Sequence, residues 1–140
     1  MTAYATLRLV HVVVAVLGTG AVAAIAITAR TMRHHTGPLT ATPIPALATW
    51  STVSLVTMLV TGAWIDLEMH GVFHEALWFR ASAISLVATG ATVGILRRQI
   101  AHARKGQLTT ERALARIARL AVVASVLVLA IAVLMERRPT

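Results

Sequence analysis

The side chains in this sequence best suited to chemistry are three histidines and the carboxylates beside them. His11 stands alone inside an apolar run. His70 and His74 fall in the polar segment DLEMHGVFHE, residues 66–75, together with Asp66, Glu68 and Glu75. Two cofactor geometries follow from these spacings. In the first, His70 and His74, four apart, share one face of a helix and chelate a divalent metal. Glu68 or Glu75 completes that set, and Met69 adds a soft ligand suited to copper. In the second, His11 and one of His70 or His74 hold a b-type haem from opposite sides. The four-apart pair cannot do this alone, because axial ligands must be trans. Gly71 works against a rigid helical placement of the pair. A plainer alternative needs no cofactor: a short connection carries histidines and carboxylates because they are soluble, and His11 bonds a carbonyl or carboxylate on a neighbouring helix.

Other chemistry is excluded or undirected. The chain has no cysteine, so disulfides, iron–sulfur clusters and thiolate metal sites are ruled out. No nucleophile motif, phosphate loop or dinucleotide fingerprint appears, and the expectation is a protein without enzymatic activity. His34, His35 and His102 sit in basic surroundings and fall to the opposite end of the molecule from His11, His70 and His74 once the elements are laid out.

Those elements are four long apolar runs, with spans at about 7–29, 46–65, 76–96 and 117–135. The hydrophobic fraction of 57% with few aromatics fits this class better than a water-soluble core. The fold class is therefore all-α: an integral membrane four-helix bundle, up-down-up-down, with residues 1–140 forming a single domain. The first run is longer than a signal-peptide core and only Arg8 precedes it, so it reads as a retained helix. The stretch Arg30 to Pro45 holds Gly37, Pro38, Pro43 and Pro45 and is a loop. The third helix is expected to run on through RRQIAHARK to Lys105, with Gly106 as a left-handed stop. Thr109 or Thr110 then caps the fourth helix, and Glu111 sits in its first turn, where the helix dipole favours it.

Charge placement gives an orientation. The first and third connections share one side and carry nine Lys and Arg, against four for the termini and the middle connection. The side with nine should be cytoplasmic. In the cytoplasmic (inner) membrane of a bacterium, residues 30–45 and 97–116 then face inward, and both termini and residues 66–75 face outward. Trp64 and Trp78 bracket the outer connection as an aromatic belt would. The net charge of +8 thus serves orientation and contact with lipid headgroups, and nucleic acid is not an expected partner.

The centres of the spans hold no Asp, Glu, Lys or Arg, which argues against ion-coupled transport by this chain alone. The second span (Thr49, Ser51, Thr52, Ser54, Thr57, Thr61) and third span (Ser82, Ser85, Thr89, Thr92) are rich in hydroxyls. These are expected to bond back to the preceding turn or across helices rather than line a path. Gly90 and Gly94 form a GxxxG pair that permits close helix crossing, within the bundle or between subunits. Gly18 and Gly20, with Ala15, Ala21 and Ala24, offer a second small-residue surface.

The order of features also resembles a known family. LRLVHVVVAVLGTG in the first span, TGAW ending the second, ALWFRAS opening the third and the LMERRP terminus are similar to a family of small bacterial predicted integral membrane proteins, domain of unknown function 2269. The resemblance spans nearly the whole chain and implies four helices with no established activity. More distantly, the His11 segment resembles the first helix of four-helix membrane proteins linked to haem or copper, such as bacterial protoporphyrinogen oxidase and copper-resistance membrane domains. Those have a tryptophan just before the glycine, where this chain has Leu17 before Gly18, so only His11 carries across as a ligand. The expected function is an accessory or assembly subunit of a larger membrane complex, a homo- or hetero-oligomer in the lipid bilayer. The alternative is a small cytochrome b-like or metal-binding redox protein with a site near the outer face.

Overall fold

A computed structural model describes residues 3–32, 34, 37–73, 75–106 and 109–136. Its regular elements are four long helices and one short turn of 3-10 helix: α1 (Ala3–Thr31), the turn Leu39–Ala41, α2 (Ile44–Glu68), α3 (Leu77–Arg104) and α4 (Thr110–Glu136). All four helices are long and apolar enough to cross a membrane. Helices α1, α2 and α4 extend beyond both ends of the apolar spans expected from sequence, and α3 extends beyond its C-terminal end, because polar residues can continue a helix past an apolar run.

The helix ends have local causes. Pro45 lies in the first turn of α2, where its missing N–H leaves no donor unpaired. The helix begins at Ile44, inside the stretch assigned to a loop, and Leu47 N–H donates to Pro43 O at 3.0 Å. At its other end α2 continues through Asp66, Leu67 and Glu68, so the α2–α3 connection is shorter than the ten residues read from sequence. The reversal comes at His70 (φ 56°) and Gly71 (φ 74°), two consecutive left-handed residues. Gly71 N–H closes on Asp66 O at 2.8 Å, and Asp66 Oδ1 accepts from Phe73 N–H at 3.1 Å. Helix α3 ends as expected, with Lys105 N–H donating to Ala101 O and Gly106 in the left-handed region at φ 69°. Ala113 N–H donates to Thr109 O at 3.0 Å, which makes Thr109 the residue flanking α4, and Glu111 stands in its first turn.

The helices pack as a ring. The largest interfaces join α1 to α2 and α3 to α4; α1 also packs on α4, and the α2–α3 seam is the smallest. The interior divides by chemistry. Val22, Ile25, Ala26, Ala29, Ile44, Ala48, Val93, Leu96, Ile100, Leu114, Ile117 and Ala121 form one apolar cluster beneath the Leu39–Ala41 turn. Alanines at 113, 118, 121 and 124 are buried in this cluster, and their small side chains let α4 pack close to its neighbours. Towards the other end the buried residues turn polar: Ser51, Ser54 and Thr61 on α2, and Ser82 and Thr89 on α3.

Candidate functional site

The polar half of the interior contains His11. It sits about two turns into α1 and is half-buried against α2. Its Nδ1 lies 2.7 Å from Thr61 Oγ1, and the Thr61 hydroxyl donates to Thr57 O, also at 2.7 Å. Thr61 therefore spends its one proton on the backbone and can only accept from the ring. This network assigns the histidine proton to Nδ1 and Nε2 as the acceptor nitrogen. Gly62 makes room for the ring, since a Cβ there would stand 3.4 Å from His11 Cε1. The partner of His11 is thus a hydroxyl, not the carbonyl or carboxylate considered from sequence.

The other hydroxyls of the spans mostly bond back to the preceding turn. Thr49, Thr52, Thr57, Thr89 and Thr92 each donate to the carbonyl four residues earlier at 2.8–3.1 Å. Ser51 Oγ and Ser82 Oγ are buried without a hydrogen-bond partner among the described residues. The space between Gly18, Thr19, Ser54, Met58, Leu86 and Thr89 is about 10 Å³, at the lower limit for one water.

Around the α2–α3 connection the candidate ligands are dispersed. His70 is exposed on the left-handed turn, and Glu68 Oε1 accepts from Trp64 Nε1 at 3.2 Å. His74 lies outside the described residues. Among the described residues no three His, Asp or Glu side chains gather to hold a metal, so Glu68, His70 and Glu75 do not form a set of three. Phe73 and Trp78 meet edge-to-face with centroids 5.7 Å apart, and Trp78 meets Phe79 at 5.9 Å, closing the α2–α3 turn with aromatic rings. Of the candidate ligands among the described residues, His11 is the one inside the bundle, where it is half-buried.

The small-residue positions separate into two kinds. Gly18 faces α2, and a Cβ added there would stand 2.7 Å from Ser54 Cβ, so α1 and α2 approach as closely as they do only with glycine at that point. Gly20, two residues on, points elsewhere; a Cβ there would meet nothing within 4 Å. Gly90 and Gly94 are likewise open, and both are exposed on α3 with Val87, Ala91 and Ile95.

One feature has no counterpart in the sequence reading. The first turns of α2 and the last turns of α3 enclose a groove of about 390 Å³, lined by Pro45, Ala48, Thr49, Arg97, Arg98, Ile100, Ala101 and Arg104. The signal lay in the arginine spacing on α3, but its α2 wall is set only by how the two helices meet.

Compared with family models, with curated proteins and with solved structures, the chain finds no match.

Proposed function

We propose that the four helices cross a bacterial cytoplasmic membrane up-down-up-down and that the protein is a non-catalytic accessory or assembly subunit of a larger membrane complex. Membrane insertion is supported by the outward faces, where Leu9, Val16, Ile27, Val56, Leu59, Ile84, Val87, Val126 and Leu129 are all exposed. A water-soluble bundle would bury such residues. Alternation of direction is supported by register. Along α1, His11 meets Thr61 and Gly18 meets Ser54; along α3, Arg97 meets Thr52 while Arg104 shares a groove with Pro45. Trp50 and Trp64, 65% and 53% exposed, stand ~21 Å apart along α2 and would mark the two interfaces.

The observation that carries the accessory role is the open notch at Gly90 and Gly94. Within the bundle nothing occupies it, whereas Gly18 is consumed by packing on Ser54. A second transmembrane helix, from another copy or another subunit, can approach α3 there at backbone distance. The notch also makes a clean test. Gly90→Leu with Gly94→Leu adds side chains into open space, so the monomer should keep its stability in detergent. Its association in membranes, followed by cross-linking and native electrophoresis, should fall. Unchanged association in the double variant would remove this face as the interface.

A second reading, a small redox protein using His11 with His70 or His74 near the outer face, is favoured by one observation: the bare Nε2 lone pair of His11. Metal-binding histidines commonly donate their other ring N–H to a fixed acceptor, as His11 does to Thr61. The haem- and copper-linked resemblance of the His11 segment belongs with this reading. It expects an absorbing, cofactor-bearing protein in which His11→Ala loses the cofactor while His34→Ala and His102→Ala keep it. Equal retention in all three would end it.

A further inference from the structure

We infer that the groove between the start of α2 and the end of α3 is a binding site for the phosphate headgroup of an anionic phospholipid. The inference rests on the membrane reading above and adds to it a specific ligand class at a specific place.

Three arginines line the groove, Arg97, Arg98 and Arg104. Among the described residues no carboxylate stands against any of them, and the described part of the protein leaves their charge unpaired. Arg97 is held in place: its Nη1 donates to Thr52 Oγ1 at 3.3 Å, and Thr52 donates its own proton to Ala48 O at 2.9 Å. Arg98 Nε donates to His102 Nε2 at 3.3 Å, which fixes the imidazole as an acceptor there. The remaining donors point to an oxyanion ligand. Planar guanidiniums recognise phosphate oxygens in pairs, and several of them around one cavity favour phosphate over a simple carboxylate. The volume of about 390 Å³ falls in the range of small-ligand sites.

Depth and surroundings select the source of that phosphate. Trp50 follows Ala48 and Thr49 by one or two residues and is 65% exposed, which sets the groove at the level of the headgroups. Ala48, Ile100 and Ala101 supply the apolar part of the lining, and Ala48 and Ile100 belong to the buried core behind it. By helical spacing the α2 stripe of Pro45, Thr49 and Thr52 continues to Val56, which is exposed and can carry an acyl chain away from the groove. The groove also lies on the side of the molecule richest in Lys and Arg, where anionic lipid concentrates. A soluble phosphate would need no such apolar border.

The test is native mass spectrometry of the full chain released from nanodiscs of phosphatidylcholine mixed with phosphatidylglycerol or cardiolipin. We expect one anionic lipid to be retained in preference to phosphatidylcholine. The triple variant Arg97→Gln, Arg98→Gln, Arg104→Gln should weaken that retention at least ten-fold. The charge-matched control Arg112→Gln, Arg116→Gln, Arg119→Gln on α4 should leave it unchanged. Thr49→Trp, which fills the groove without altering charge, should lower retention as well and does not depend on the triple variant folding. Equal loss in the groove variant and the α4 control would mean diffuse charge and overturn the site. So would displacement of the lipid by millimolar inorganic phosphate, which would assign the groove to a soluble anion. Flotation with vesicles of phosphatidylcholine alone separates the two readings: a protein that fails to float overturns the membrane reading and the site together, whereas one that floats without preferring anionic lipid overturns the site alone.

Discussion

His11 Nδ1 and Thr61 Oγ1 stand 2.7 Å apart across the α1–α2 interface, and the Thr61 hydroxyl donates a hydrogen bond to Thr57 O. This arrangement makes the histidine a donor to its neighbouring helix and sets which ring nitrogen remains open. Thr61→Val should leave the Nδ1–H without its acceptor and destabilise the bundle by about 1 kcal/mol, the scale of interhelical hydrogen bonds in membranes. Thr61→Ser should lose much less. Denaturant unfolding in mixed micelles measures both, and nitrogen NMR of the imidazole reads the tautomer directly. A valine variant as stable as the wild type would show that the bond contributes nothing net.

Gly18 and Ser54 define how closely α1 and α2 meet. Gly18→Ala places a methyl 2.7 Å from Ser54 Cβ, so the helices must separate. A cost of about 1–3 kcal/mol is expected for such overpacking. Gly20→Ala meets nothing within 4 Å and should be neutral or slightly stabilising, because alanine is the better helix former. Adding Ser54→Gly to Gly18→Ala should recover part of the loss, giving a coupling energy that only touching residues produce.

His70 occupies a left-handed turn at φ 56°, a conformation that a non-glycine side chain adopts at a cost of about 1 kcal/mol. His70→Gly should therefore stabilise the α2–α3 turn by somewhat less than this, since glycine also gains freedom in the unfolded chain. Thermal unfolding of the purified protein reads the shift. If the turn gains stability while a bound cofactor is lost, His70 is a ligand held in strain; if stability rises with nothing lost, it is a turn residue alone.

The orientation can be read directly because the chain has no cysteine of its own. Glu68→Cys at the end of α2 should react with a membrane-impermeant thiol reagent applied to intact cells or spheroplasts. Lys105→Cys at the end of α3 should react only after the membrane is opened. The reverse pattern would invert the topology, and labelling of both from outside would break the up-down arrangement.

Much of the scaffold could be read along the chain, because a helix in lipid is specified by composition and by its ends. Four apolar runs with uncharged centres, Pro45 in a first turn, Gly106 at a left-handed stop and Glu111 at a dipole-favoured start are local signals, and the elements follow them. The extension of α2 through Asp66 to Glu68 was hidden because polar residues end a span without ending a helix. The site was far less legible. Gly18 and Gly90 look alike in sequence, yet one is packed on Ser54 and the other faces outward. Which face of a transmembrane helix turns inward depends on fit to neighbours, since both faces are apolar and lipid does not distinguish them strongly.

The sequence by itself determined that this protein is four apolar helices with most of its positive charge gathered towards one side, because length, hydropathy and end signals act locally. Tertiary structure alone decided that His11 donates a hydrogen bond to Thr61, that Gly18 is inside while Gly90 and Gly94 are out, and that Pro45 and Thr49 face Arg97 and Arg104 across a groove. Each of these joins residues far apart in the chain, and depends on the rotation and register of whole helices. Those are fixed by the summed packing of the bundle, which no single segment encodes.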